Sequence, residues 1–226
     1  MLLTITGKTD GFGSQYQSIM SGIAYASYKK YKYYHTPMNK VAHSQNHQIL
    51  NNFIGVHSDI NVKQSDRVNI KLPYVKEVHG ANKPSLFYTK QVNEKIRSMY
   101  YSTPKPKSCP FDIAIHIRRG DVKNGFRFTD NQTYLKYIKM LISKYPRYTI
   151  GIYSEGTESD FKILKLPQVT FKLNLNLINT FHELVTSKIL VMSKSSFSYS
   201  AGILSNGIVY YIPFWHKPLD HWKILR

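Results

Sequence analysis

The stretch that decides the fold is FDIAIHIRRGD, residues 111–121, an apolar and β-branched run that ends in a charged turn. Such a run predicts a buried strand over Phe111–Ile117. Side chains alternate along a strand, so His116 and Arg118 share one face while Arg119 takes the other. The strand therefore delivers a histidine and an arginine together at its carboxyl end.

Downstream of this strand, short apolar runs alternate with amphipathic segments. The apolar runs predict further strands at Tyr148–Ser154, Val169–Leu173, Lys188–Met192 and Ile208–Ile212. The segments between them predict helices at Gln132–Tyr145, Glu158–Leu164, Ile178–Ser187 and Tyr199–Ser205. This alternation is typical of a parallel sheet covered by helices on both faces.

The first half of the chain begins in the same way. Its opening pattern predicts a strand at Leu2–Thr6, a glycine-rich turn at Gly7–Ser14 and a helix at Gln15–Tyr28. Less regular patterns predict helices near His43–Phe53 and Lys90–Tyr100. We expect an α/β half here as well.

A proline-rich segment separates the two halves. Pro104, Pro106 and Pro110 preclude a helix or a central strand, which leaves an extended linker. We therefore predict two α/β lobes with a cleft, one over residues 1–106 and one over residues 107–226. In such folds, ligands lie beyond the carboxyl ends of the strands.

Two predicted strand ends carry groups that suit an anion. At the first, the planar fork of Arg118 can donate two parallel hydrogen bonds to a phosphate or carboxylate. Gly120 permits a sharp turn there, and Asp121 can hydrogen-bond local backbone or an arginine. At the second, Ser193–Ser198 opens a helix, whose hydroxyl and N–H groups also favour an anion. The alternatives are a surface arginine pair with a turn aspartate, and a plain serine cap.

The composition is strongly basic. The 226 residues include 31 Lys and Arg against 13 Asp and Glu, a net charge of +18, and such a surface attracts polyanions. The charge is spread over both halves, which favours a solvated basic face, although a basic nucleic-acid-binding protein without enzymatic activity is an alternative. A hydrophobic fraction of 42% excludes a disordered chain. Cys109 is the single cysteine, so an intrachain disulfide and a cysteine zinc cluster are excluded.

Metal and membrane signals are weak. No Asp-x-Asp pair occurs, and His43 and His47, although spaced i, i+4, lack a nearby third ligand, so we expect no metal. The stretch 195–215 contains no charged residue but includes Asn206 and Pro213, which indicate a turn, a helix and a buried strand. We expect a soluble, cytoplasmic protein with no transmembrane segment and no targeting segment.

Four segments resemble motifs of one enzyme superfamily. His116–Asp121 resembles the H-x-R-R-G-D motif of the α1,2-, α1,6- and protein O-fucosyltransferases. Ser195–Tyr199 is similar to their later N-S-S-F-S-W-W element, and Tyr153–Glu155 stands where those enzymes carry F-S-D-D. Gly11–Gln15 resembles their opening G-x-G-N-Q segment. The order of the segments matches, and bacterial and viral α1,2-fucosyltransferase-like enzymes are the nearest part of the superfamily.

The resemblance implies a glycosyltransferase-B-like fold of two Rossmann-like lobes, with a reduced N-terminal lobe on the acceptor side. It implies an inverting enzyme that moves fucose from GDP-fucose to a glycan or another hydroxyl acceptor, with no metal, no other cofactor and no specific nucleic-acid partner. Arg118 would hold the β-phosphate, and His116 would lie against the nucleotide. The other donor-binding residues implied are Gly11, Gly13, Arg119, Ser195, Ser196 and Phe197. A bacterial cell or the cytoplasm of a virus-infected host would be its location.

The sequence departs from the superfamily pattern at several positions. Thr180 stands where an aspartate commonly contacts guanine, and Asn179 or Glu183 would have to replace it. A transferase that uses another nucleotide sugar is therefore an alternative. Asp121 and Glu155 are the catalytic carboxylates to consider beside Arg118, with Asp121 also suited to bracing the arginine turn.

Overall fold

A computed structural model describes residues 1–42, 46–60 and 68–226. Its contacts divide the chain into two compact units, and the first unit ends inside the proline-rich segment. The first unit comprises Met1–Lys105 and His216–Asp220, and the second comprises Pro106–Trp215 and His221–Arg226. The short C-terminal segment joins the first unit because the His216 ring packs edge-on against His79 and the Asp220 N–H donates to Ser85.

The described part of the first unit is built on a parallel sheet with strand order β2-β1-β3. The strands are β1 (Leu2–Ile5), β2 (Lys32–Tyr33) and β3 (Ile70–Leu72). The helices are α1 (Phe12–Tyr28), α2 (His47–Ile54), α3 (Lys76–His79) and α4 (Lys90–Tyr101), with a 3₁₀ turn at Pro84–Leu86. Helix α1 is buried along most of its length, which explains its run of small and apolar residues.

Helix α1 begins at Phe12, earlier than the sequence predicts. Gly11 is its N-cap, and the Gly11 carbonyl accepts from the N–H groups of Ser14 and Gln15 at 3.1 and 3.2 Å. Gly13 therefore lies inside the helix and is buried, which corrects the predicted turn. The predicted helix near His43–Phe53 is observed as α2, which begins at His47. His43 lies outside the described residues, so the spacing of His43 and His47 is not described.

The second unit contains a parallel sheet with strand order β6-β5-β4-β7-β8-β9. The strands are β4 (Ile113–His116), β5 (Ile150–Ser154), β6 (Val169–Leu173), β7 (Ile189–Val191), β8 (Ile208–Tyr211) and β9 (Lys223–Ile224). The helices are α5 (Asn131–Lys144), α6 (Leu177–Thr186) and α7 (Ser196–Leu204), with a 3₁₀ helix at Glu158–Leu164. Counted from β4, this order reads 3-2-1-4-5-6, which is the Rossmann order.

Fully buried isoleucines hold this sheet in place. Ile113 and Ile115 of β4 pair in register with Ile150 and Ile152 of β5, and all four are inaccessible to solvent. One face of the sheet packs against the apolar side of α5 and against the 3₁₀ helix. Burial of this kind stabilises a strand by about 1.5–3 kcal/mol per large side chain. The resulting platform fixes the positions of the strand ends.

The sheet has a topological switch point between β4 and β7. From β4 the chain runs through β5 to β6 on one side, and it later returns to β7 on the other side of β4. In open α/β sheets, a crevice forms beyond the carboxyl ends of the two strands at such a point. His116 ends β4 there, Arg118 follows two residues later, and Ser193–Ser198 follows β7.

Candidate functional site

Arg118 and Ser195 meet beyond the carboxyl ends of β4 and β7. The Arg118 Nη1 donates to the Ser195 Oγ at 3.0 Å, and its Nη2 donates to the Asp121 carboxylate at 2.6 Å. Ser195 is also the N-cap of α7, where its Oγ accepts from the Phe197 N–H at 3.2 Å. An arginine and a helix N-terminus therefore converge at the switch point, beyond the two strand ends that the sequence marks as suited to an anion.

His116 belongs to the same cluster. Its Nδ1 and the Ser193 Oγ share a hydrogen bond of 2.8 Å, and its ring packs against Phe197 with centroids 5.4 Å apart. Burial, reinforced by the nearby Arg118 guanidinium, lowers the pKa of His116 to about 3. The imidazole is therefore neutral near pH 7, and the arginine supplies the positive charge of the cluster.

Arg118 retains hydrogen-bonding capacity. Its Nε is buried and has no hydrogen-bond partner among the described residues, while its side chain as a whole is 26% exposed. A buried donor without an acceptor costs about 1–3 kcal/mol. A bound anion at this point would remove that cost.

Arg119 lies on the other face of the strand end. Its Nη2 donates to the Thr129 carbonyl at 2.9 Å and to the Asn131 Oδ1 at 2.7 Å. Its guanidinium also stacks on Phe128, 4.4 Å from the ring centroid. The Arg119 side chain thus lies apart from the Arg118–Ser195 contact, on the face that alternation predicts, and its Nη1 donates to the Arg118 carbonyl at 2.9 Å. Its role in donor binding stays a prediction. Arg119 fixes the loop between β4 and α5, because alternation points neighbouring side chains in opposite directions.

The two predicted carboxylates are placed differently. Asp121 is paired with Arg118 and braces the turn, as expected for that position. Glu155 follows β5, is exposed, and forms no ion pair with a residue that the structure describes. It lies against Gly120, in a recess of about 550 Å³ that Arg119 also lines. Of the two, Asp121 contacts Arg118 and Glu155 does not.

Gly11 and Gly13 belong to the first unit. A Cβ built on Gly11 would meet no atom within 4 Å, so the backbone at the N-terminus of α1 is open to close approach by a ligand. Gly13 is buried in α1 and is not open in this way. Beside them, Lys8 pairs with Asp10 at 3.0 Å and donates to the Ser14 Oγ at 2.7 Å.

The residues considered for guanine recognition lie on α6. The Glu183 carboxylate accepts a hydrogen bond of 2.6 Å from the Tyr153 hydroxyl. Burial, together with hydrogen bonds to Cys109 and Glu183, raises the pKa of Tyr153 above its usual value. Glu183 is therefore already engaged within the unit, and Thr180 offers no carboxylate.

The sequence does not predict a pair of aromatic side chains, Phe126 and Trp215, that lies beside the Arg118 cluster. The Lys194 Nζ donates to the Phe126 carbonyl at 3.0 Å and lies 5.1 Å from the Phe126 ring centroid. The Phe126 and Trp215 rings are 6.0 Å apart. These residues are distant in the chain and lie in loops, so no periodic pattern connects them.

The described residues form neither a metal-binding cluster nor a membrane-spanning helix. Within residues 1–42, 46–60 and 68–226, no group of three or more His, Cys, Asp or Glu side chains could hold a metal ion. Over the same part of the chain, no helix has both the length and the apolar character needed to cross a membrane. The charge-free stretch 195–215 forms α7 and β8 instead, as the sequence predicts.

Comparison with known proteins identifies the fold. No protein-family profile matches the sequence, and no curated protein is similar to it in sequence. The structure is similar to E. coli heptosyltransferase WaaC with ADP-2-deoxy-2-fluoro heptose, with a TM-score of 0.52 and 12% identity, over 100% of this chain and 93% of that one. The structure is also similar to E. coli heptosyltransferase WaaC with ADP, with a TM-score of 0.52 and 12% identity, over 99% of this chain and 92% of that one. The predicted fold class, α/β of the glycosyltransferase-B type, is confirmed.

Proposed function

We propose that this protein is a glycosyltransferase that uses a nucleotide-sugar donor. The observation that carries the proposal is the convergence of Arg118 and the α7 N-terminus at the Rossmann switch point. A departing nucleoside diphosphate needs charge compensation, which an arginine fork and a helix N-terminus can provide. The fold shared with WaaC supports the proposal, since the WaaC structures hold ADP or an ADP-sugar analogue.

The reaction would exchange one bond at the anomeric carbon for another. The bond from that carbon to the β-phosphate oxygen breaks, and a bond to the acceptor oxygen forms on the opposite face. Electrons of the broken bond remain on the diphosphate, where the Arg118 guanidinium and the amides at the start of α7 stabilise them. The acceptor hydroxyl proton passes to a base or to water.

The other residues of the cluster would position these groups. Asp121 holds Arg118 at 2.6 Å and so fixes the direction of its fork. Ser195 and Ser196 would contact the diphosphate, and the neutral His116 ring, packed on Phe197, would offer a flat surface to the nucleoside. Because the His116 imidazole is uncharged, it would add no second positive charge beside the nucleobase and the sugar.

We propose GDP-fucose as the donor, because the H-x-R-R-G-D segment matches the fucosyltransferase motif. An ADP-sugar is the second candidate. Two observations favour it: Glu183 is engaged by Tyr153, and Thr180 stands where the superfamily carries the guanine-binding aspartate, which leaves only Asn179 of the three residues considered for guanine. The sugar analogue in the WaaC structure is also carried on ADP.

Calorimetric titration with GDP, ADP and UDP tests the site. We expect one of the three to bind, and Arg118→Ala to weaken it about ten- to hundredfold, since a hydrogen bond to a charged group contributes about 1.5–3 kcal/mol. Arg147→Ala is the matched control, because Arg147 is an exposed arginine of the same unit. If none of the three binds, or if both variants bind equally well, the proposal is wrong.

Turnover of the matching nucleotide sugar tests the chemistry. We expect Arg118→Ala to abolish transfer and EDTA to leave it intact. Activity that disappears with EDTA and returns with Mn²⁺ would overturn the metal-independent mechanism while leaving the donor site in place.

A further inference from the structure

A recess of about 710 Å³ opens on the second unit beside the Arg118 cluster. Two aromatic side chains on its wall are unusually exposed, Phe126 by 63% and Trp215 by 48%. Their ring centroids are 6.0 Å apart with planes inclined by 33°, so the rings form one open platform. Exposed aromatic clusters of this kind generally mark a binding surface.

The recess is also positively charged. Lys123 and Arg127 line it, and Lys194 fixes the platform by donating to the Phe126 carbonyl. Asp121 is the one acidic side chain among its lining residues, and that carboxylate is already paired with Arg118 at 2.6 Å. Arg127 is only 3.9 Å from the same carboxylate. The cationic side chains that line the recess, Lys123 and Arg127, therefore outnumber its one acidic side chain, which Arg118 already shares.

Asp121 connects the recess with the proposed donor site. Its carboxylate contacts Arg118 on one side and lines the recess on the other, within the same unit. A molecule in the recess would therefore lie next to the group that holds the departing diphosphate. That is where the second substrate of a transferase has to be.

We propose that this recess of the second unit, rather than the N-terminal lobe that the fucosyltransferase resemblance implies, binds the acceptor, and that the acceptor is an anionic glycan. The C–H face of a pyranose carries partial positive charge and packs on the negative faces of Phe126 and Trp215. A carboxylate, sulfate or phosphate on the same glycan pairs with Lys123 and Arg127. This inference rests on the proposed function, because it names the acceptor class for that reaction.

A glycan array of neutral, carboxylated, sulfated and phosphorylated oligosaccharides provides the test. We expect the wild-type protein to bind anionic members in preference to neutral ones of the same backbone. Phe126→Ala and Lys123→Ala should each weaken that binding about tenfold or more. Met140→Ala and Lys139→Ala are the matched controls, because both residues are exposed on α5 and should leave it unchanged.

The controls also separate general basicity from a defined site. If Lys139→Ala weakens glycan binding as much as Lys123→Ala, the overall charge is responsible and the proposal is wrong. It is equally wrong if no oligosaccharide binds, or if only neutral ones do.

Titration of the same variants with the nucleoside diphosphate distinguishes this inference from the proposed function. A Phe126→Ala protein that loses nucleotide affinity together with glycan affinity would mean that the recess holds the nucleobase, which overturns the acceptor assignment. If the wild-type protein binds the nucleotide but no glycan, the acceptor assignment of the recess is wrong and the proposed function stands. Absence of nucleotide binding in the wild type would refute the proposed function.

Discussion

At Gly120 the backbone turns with a φ of +72°, and an added Cβ would collide with the Glu155 carboxylate. Gly125, in the same loop, has a φ of +78° but open space around it. We expect Gly125→Ala to lower the free energy of unfolding by about 1 kcal/mol, from backbone strain alone. Gly120→Ala should cost slightly more, because the carboxylate of the exposed Glu155 side chain has to move aside as well.

Urea denaturation measures both effects. In a Glu155→Ala background, the cost of Gly120→Ala should fall to that of Gly125→Ala. If Gly120→Ala and Gly125→Ala lower the free energy of unfolding equally in the wild-type background, Glu155 does not crowd this turn.

The buried histidines make the free energy of unfolding depend on pH. The pKa of His116 is lowered from 6.5 to about 3, so between these values the unfolded chain binds more protons than the folded one. Stability therefore falls as pH drops from 6.5 towards 3, by at most about 1.4 kcal/mol per pH unit for this residue. His35, His79 and His216 act in the same direction, since burial lowers their pKa values to about 4, 3 and 4.

Unfolding curves recorded between pH 4.5 and 7 check this prediction. His116→Asn keeps a polar partner for Ser193 but removes one titrating group, so the dependence on pH should become shallower. A His116→Asn protein whose dependence on pH equals that of the wild type would show that the pKa of His116 is the same in the folded and the unfolded chain, which would contradict the prediction.

The sequence predicts part of the site and misses the rest for a physical reason. Alternation along one strand is enough to place His116 and Arg118 together and Arg119 opposite. It does not reveal which acceptors Arg119 finds, because Thr129 and Asn131 reach it only through the path of an irregular loop. The same loop carries Phe126 to Trp215, so the recess could not be predicted either.

The N-terminus of α7 combines a structural and a functional role, which a matched pair of caps can separate. Ser195 caps α7 and accepts from Arg118, whereas Asn176 caps α6 by accepting from the Asn179 N–H at 2.9 Å. We expect Ser195→Ala and Asn176→Ala each to lower the free energy of unfolding by about 1 kcal/mol. Only Ser195→Ala should weaken nucleotide binding, because it alone removes a partner of Arg118.

Chemical denaturation and calorimetric titration of the two variants test this difference. If Asn176→Ala weakens nucleotide binding as much as Ser195→Ala does, the α7 cap has no special relation to the ligand.

Among the elements, burial decides what the sequence predicts. Strands β4, β5, β7 and β8 are recognisable because their apolar runs are mostly buried. Strand β6 has the predicted bounds, Val169–Leu173, although it is only half-buried. Strand β9 was missed since Lys223 and Ile224 are both exposed and join the sheet only by pairing with β8. Such short edge strands depend on tertiary pairing, which leaves no periodic pattern in the sequence.

At the scale of the whole molecule, the charge of +18 and the site make different predictions about ligands. A diffuse positive surface attracts any polyanion, and its binding weakens steeply as salt rises. A defined diphosphate site depends on Arg118 in particular. The two contributions can therefore be separated by salt and by one substitution.

We expect a single-stranded dT oligonucleotide to bind this protein at low salt and to bind no tighter than about 1 μM at physiological salt, the range of non-specific contacts. Arg118→Ala removes one positive charge of many, so oligonucleotide affinity should change little while nucleoside diphosphate affinity falls at least about tenfold. Fluorescence anisotropy at 50 and 200 mM salt, beside calorimetry with the diphosphate, measures both. Submicromolar oligonucleotide binding at 200 mM salt, without any diphosphate binding, would identify a nucleic-acid-binding protein, because only a surface shaped for the polymer resists screening in that way.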